Sequence, residues 1–99
     1  MKNNSWIWDK FDLPCFDGKK SFYGKAVVFR QAATNTYILE SYGTRVACFE
    51  NNCFSRLWDG YSATTMRHVN SFLKFLQLPG GGKKWWDSLP IVQIVDKCF

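Results

Sequence analysis

The stretch WDGYSATTMRHVNSFLKFL, from Trp58 to Leu76, decides the fold. It reads as the end of a strand, a tight Asp59-Gly60 turn and one amphipathic helix. Ser62 stands at the N-cap, where a hydroxyl can accept the amide hydrogen of Thr65 or its neighbour. Thr65 occupies the position at which a capping box prefers Glu or Gln, so the box is incomplete. Met66, Val69, Phe72, Leu73 and Leu76 recur at helical spacing and form one apolar stripe. Arg67, Asn70, Ser71 and Lys74 fall on the opposite side. Pro79 forbids continuation, and the residue before a proline is biased away from helix. A helix is therefore expected over residues 62–78, with Ser62 as cap and Ala63 to Leu78 as its body. Gly80, Gly81 and Gly82 follow as a loop.

Upstream of the helix the pattern is β. Ser21 to Gln31 (SFYGKAVVFRQ) is rich in aromatic and β-branched residues and has no helix cap. Gly24 within it suggests a bulge or a close backbone approach. Thr36 to Gly43, Thr44 to Glu50 and Cys53 to Tyr61 read as three further strands. Gly43 marks one turn. Asn51-Asn52 marks another, because Asn tolerates the positive φ that a tight hairpin requires. Short connections imply an antiparallel meander over residues 21–61. Residues 1–20 form an aromatic arm with Trp6, Trp8, Phe11, Leu13 and Phe16, which is expected to lay a short strand or hook on the body. In the tail, residues 79–99, Trp85, Trp86 and Leu89 suggest a short helical turn. Ile91 to Val95 (IVQIV) is β-prone, and left unpaired it would be an aggregation hazard. It is expected to extend the sheet edge, to pair with the arm, or to pair across a homodimer.

The fold class is thus α+β: an antiparallel sheet of four to five strands with one amphipathic helix packed on one face. Ninety-nine residues make one domain, 1–99, with a single modest core. One helix cannot shield both faces of such a sheet. The second face is expected to be covered by the terminal segments, by a second copy or by a partner. Aromatic residues make up 18% of the chain, more than a core this small is expected to hide.

The formal net charge is +5. Most of the excess lies after residue 62, in Arg67, Lys74, Lys83, Lys84 and Lys97 against Asp87 and Asp96. Such a bias favours an acidic protein surface or a phosphate backbone. The N-terminus MKNNSWIWDKFDLP lacks the apolar core of a secretory signal, and no segment approaches the ~18 apolar residues of a membrane span. Cys15, Cys48, Cys53 and Cys98 are then expected as thiols in a reducing cytoplasm. Cys48 and Cys53 lack the CxxC spacing of a zinc or redox pair.

Catalytic motifs are weak. PGGGKK fails as a phosphate loop: Gln77 stands where the first glycine belongs, Lys84 where Ser or Thr belongs, and the loop follows a helix instead of a strand. His68 is the one histidine. Ser62, Ser71 and Asp59 lie on or beside its helix, but nothing in the spacing converges them on the imidazole. Glu40, Glu50 and Asp59 have little room to form an acid pair across a cleft. Neither a metal nor a cofactor is expected, and the protein is read as a non-enzyme. Strand aromatics (Tyr23, Phe29, Tyr37, Tyr42, Phe49, Phe54) with Lys25, Arg30, Arg45 and Arg56 supply the residue types of a base-stacking sheet. The order of four strands and then a helix is not that of the common RNA-recognition fold.

Three blocks carry a resemblance: FYGKA near Phe22, SYGTRVA from Ser41 to Ala47, and YSATTMRHVNSFL from Tyr61 to Leu73. The pattern S-x-T-T-x-R-H-[IV]-x-x-F-L is met at every defined position. From Phe22 to Trp86 the chain resembles a family of small uncharacterised proteins of phages and mobile elements. The resemblance implies a phage-type protein of the host cytoplasm, and no catalytic residues. It suggests an anti-CRISPR-like inhibitor that binds a host protein, such as a nuclease or nucleoprotein complex. The expected contact residues are Trp6, Trp8, Arg67, Lys74, Lys83, Lys84, Trp85 and Trp86. A small single-stranded nucleic-acid binder is the alternative, and a homodimeric assembly factor closed through Ile91–Val95 is a third reading.

Overall fold

A computed structural model describes residues 8–15, 24–80 and 82–92. Five strands run in chain order across one antiparallel sheet: β1 (Asp9–Asp12), β2 (Ala26–Gln31), β3 (Thr36–Ser41), β4 (Thr44–Glu50) and β5 (Cys53–Arg56). Two helices follow, α1 (Ala63–Phe75) and α2 (Lys83–Ser88). The fold is α+β, with the aromatic arm supplying the fifth strand.

Turn chemistry explains the meander. Asn51 and Asn52 between β4 and β5 both have positive φ, 55° and 62°. Tyr42 and Gly43 between β3 and β4 do as well, at 50° and 80°. Two consecutive positive φ values are the signature of the type I′ turn, whose twist matches that of the strands it joins. Gly24 lies in a turn before β2 with φ 71°, and its amide donates to Asp12 Oδ1 at 3.2 Å. Of the bulge or close backbone approach expected at Gly24, it makes neither: it lies in a turn outside the strands, with open space where a Cβ would stand. The bulge lies elsewhere: Leu39 pairs with Ala47 and Glu40 with Arg45, which leaves Val46 as the extra residue of β4. An extra residue turns two neighbours to one side, and Val46 and Ala47 are both fully buried in the core.

That core lies between the sheet and α1. Ala26, Val28, Leu39, Val46 and Ala47 meet Met66, Val69, Phe72 and Leu73, with Leu13 and Trp86 closing the edges. Each buried Val, Leu or Phe contributes about 1.5–3 kcal/mol. Ser62 caps α1 as read, accepting from the Thr65 amide at 3.0 Å. Ser71, expected on the polar side, is instead buried. The helix also stops at Phe75, short of Leu78. Gln77 turns left-handed at φ 61°, its amide donates to Lys74 O, and the Leu78 amide donates to Leu73 O. This paired closure is the Schellman motif. It ends the helix before Pro79 can.

The second face of the sheet, expected to be covered by the terminal segments, a second copy or a partner, has a buried centre. Thr36 and Ile38 are fully buried, and Cys48 is 3% exposed, within the one chain. The Phe29 ring has Lys10 and Arg45 at 5.8 and 5.2 Å. Thr34 and Thr36 are hydrogen-bonded, and they reach Gln31 and Glu50 respectively. Long polar side chains thus lie over an apolar centre. At the β5 edge the tail adds a parallel bridge, Arg56 to Ile91: the Arg56 amide donates to Pro90 O at 2.9 Å and the Val92 amide to Arg56 O at 2.8 Å. The beginning of IVQIV therefore extends the sheet edge, and residues 93–95 lie outside the described residues.

Candidate contact surface on the first helix

Helical periodicity decides what α1 shows to solvent. With Met66, Val69, Phe72 and Leu73 inward, Ala63, Thr64, Asn70 and Lys74 are exposed and Arg67 is half-buried. No acidic residue occurs anywhere in α1. Two open grooves border this side. One, about 420 Å3, is lined by Tyr61, Ala63, Thr64, Met66, Arg67 and Asn70. The other, about 350 Å3, is lined by Asn70, Leu73, Lys74, Leu78 and Gly80.

Arg67 donates from Nη2 to Cys15 Sγ at 3.8 Å, which ties the outer side of α1 to the segment after β1. From α2, the Lys83 ammonium lies 5.3 Å from the centre of the Tyr61 ring, a cation–π contact at the mouth of the first groove. Lys83 also bonds Asp87 at 2.6 Å, and Asp87 faces Arg56 at 3.8 Å. The single acid of α2 is thereby engaged by two cations, one of them on its own helix. Lys84 is exposed.

The expected contact residues therefore divide. Arg67, Lys74, Lys83 and Lys84 are on the two helices, and Tyr61 links Lys83 to the groove of Arg67. Trp86 is not at the surface: it is fully buried, its Nε1 donates to Gly60 O at 2.9 Å, and the Arg56 guanidinium lies 5.5 Å from its ring. Trp85 is half-buried against Phe54, with ring centres 5.5 Å apart. Trp8 is half-buried at the start of β1, and Trp6 lies outside the described residues. Among the described residues the exposed aromatics are Tyr42, at 58%, and Tyr61, at 45%. The surplus rings mostly found inward partners. Sequence reasoning passed over Tyr61 and Asn70. The position of Tyr61, one residue before the cap, was the available signal, because a residue there stands beside the first turn of the helix.

Among the described strand aromatics, Tyr42 is exposed and several others are packed. Phe29 lies with Lys10 and Arg45, Tyr37 packs on Phe75 at 6.1 Å, and Phe54 lies against Phe72 and Trp85. Tyr23 lies outside the described residues.

His68 has a partner that its own helix did not reveal. Its Nδ1 is 2.7 Å from Ser41 Oγ on β3, and Ser41 Oγ is 3.5 Å from Thr65 Oγ1. Ser62 is occupied as the cap. A hydroxyl against an imidazole is the first element of a nucleophilic site. Here the two groups are 3% and 1% exposed, so this conformation holds them as a buried polar link between sheet and helix. The Tyr42 ring covers the imidazole at 5.4 Å. Among the described residues no cluster of His, Cys, Asp and Glu could hold a metal ion, and no helix is long and apolar enough to cross a membrane.

The model of a family of unknown function, DUF8033, matches residues 12–88, and the chain belongs to that family. No curated protein matches the chain, and no solved structure does.

Proposed function

We propose that this member of the DUF8033 family is a binding protein and not an enzyme. In this reading it is a phage-type protein of the host cytoplasm that binds and inhibits or modulates a host nucleic-acid-handling defence system, as an anti-CRISPR protein does. One observation carries the binding part: α1, which contains no acidic residue, turns Asn70 and Lys74 outward beside two open grooves. Surface cations speed encounter with an acidic surface, and grooves give the encounter a shape. The exposed Lys84 adds charge on α2, where Lys83 is paired with Asp87. Tyr61 adds a ring of the type enriched at interfaces. The burial of Ser41 and His68 supports a structural use of the histidine. The phage and defence setting rests on the resemblance that runs from Phe22 to Trp86, whose most specific part is Ser62 to Leu73.

The test is in cells. Expression in a host that carries an RNA-guided nuclease should raise the plating of a targeted phage, and Lys74→Glu with Lys84→Glu should remove that protection. Unchanged plating by folded wild-type protein refutes the reading. The contact of Lys83 with the exposed Tyr61 favours a second one, a single-stranded nucleic-acid binder. Such a binder would lose affinity steeply with added salt for any oligonucleotide offered. Ile91 and Val92, 51% and 37% exposed at the sheet edge, favour the homodimer, which sedimentation detects.

A further inference from the structure

β5 carries a charge where its alternation calls for an apolar side chain. Phe54 packs on Phe72 of α1, and Arg56, two residues on, faces the same way and pairs with the fully buried Ala47. The Arg56 side chain is 9% exposed. Little compensates its burial. Asp87 stands 3.8 Å from Nη1, beyond hydrogen-bond length, and is shared with Lys83 at 2.6 Å. The Trp86 ring, 5.5 Å away, adds a cation–π contact. Nε is buried and has no hydrogen-bond acceptor among the described residues. A guanidinium withdrawn from water on those terms keeps much of its desolvation cost.

The segment that covers Arg56 is weak by itself. α2 has six residues, no side-chain cap and no acid in its first turn, and Lys83 and Lys84 stand at the positive end of its dipole. So short a segment does not hold a helix alone. Trp86 is its one buried residue, so forming α2 and docking it are a single event. Beyond α2, Pro90 O accepts from the Arg56 amide and the Val92 amide donates to Arg56 O. The rest of the molecule is tied elsewhere: β1 to β5 pair with one another, Ser62 caps α1, and the Leu78 amide closes it on Leu73 O.

We propose that Lys83 to Val92 is a flap that lifts off the folded sheet and α1 as one unit, and that Arg56 beneath it sets how often it lifts. Closed, the flap buries Trp86 but isolates the guanidinium. Lifted, it uncovers Trp86 and returns Arg56 to water. These effects oppose each other, so the flap opens at a lower free energy than the body unfolds. The motion is independent of the binding function proposed above.

Hydrogen exchange of the full-length protein, followed by NMR in rising but sub-denaturing urea, tests this. The Trp86 indole N–H and the amides of Arg56 and Val92 all bond across the boundary of the flap. They should share one protection factor, at least about tenfold below that of the β3 amides. That factor should also fall less steeply with urea, because lifting exposes little surface. Arg56→Met keeps an unbranched apolar stem and leaves Asp87 with Lys83, and it should raise the shared factor about tenfold. If the three reporters follow the protection and urea slope of β3, or exchange at unrelated rates, the flap is refuted. Unchanged or lower protection in Arg56→Met, or a variant that no longer folds, refutes the role of Arg56, because a guanidinium that held the flap down would give that result.

Discussion

Trp86→Phe is the sharpest test of how the molecule is closed. The indole is fully buried, donates to Gly60 O at 2.9 Å and lies 5.5 Å from the Arg56 guanidinium. Phenylalanine keeps a ring but loses the donor, at a cost of about 1 kcal/mol. The missing second ring leaves a cavity worth about 1–2 kcal/mol. A weaker cation–π contact with Arg56 costs about 0.5 kcal/mol more. The sum, about 2.5–3.5 kcal/mol, is a large part of the stability of a domain this size. Urea unfolding followed by far-ultraviolet circular dichroism measures it, and the melting temperature should fall by roughly 10–20 °C. Trp85→Phe is the control. Its indole is only half-buried, and the loss should be about 1 kcal/mol or less. If Trp86→Phe stays within about 0.5 kcal/mol of wild type, α2 is not anchored as described and Trp86 is available to a partner after all.

Gln77→Gly should stabilise the protein. It relieves a left-handed residue that costs about 1–2 kcal/mol, against about 0.5–1 kcal/mol for the extra freedom of an unfolded glycine. The urea midpoint should rise with an unchanged slope. Ser41→Ala should destabilise by about 1–3 kcal/mol, because it takes from His68 Nδ1 its partner at 2.7 Å; a loss below about 0.5 kcal/mol would mean that the link between sheet and helix is dispensable.

Local chemistry was what the sequence displayed. Asn51-Asn52 and Gly43 announced their hairpins because backbone handedness is a property of a few adjacent residues. Ser62 and the Met66–Val69–Phe72–Leu73 stripe announced α1 for the same reason. The end of α1 was hidden, because Gln77 takes a left-handed conformation usually left to glycine. Val46 was hidden because a bulge depends on the register of two strands and not on one of them. The contact surface was half legible. Arg67 and Lys74 followed from the helical period. Trp86 was misread as exposed, because its hydrogen bond runs to Gly60, far back in the chain. The partner of His68 lies on β3 for a similar reason.

Each strand of the sheet pairs with its neighbour in the chain, and two of the four connections are two-residue turns. Loops that short cost little entropy to close, and contacts between neighbours form fast. Trp86 and Ile91, by contrast, reach back across the whole of α1 to Gly60 and Arg56. A chain growing from its N-terminus on the ribosome can thus assemble all five strands before the residues that fasten them exist. The clasp is thus synthesised after the sheet that it fastens, so the five strands can pair before they are locked.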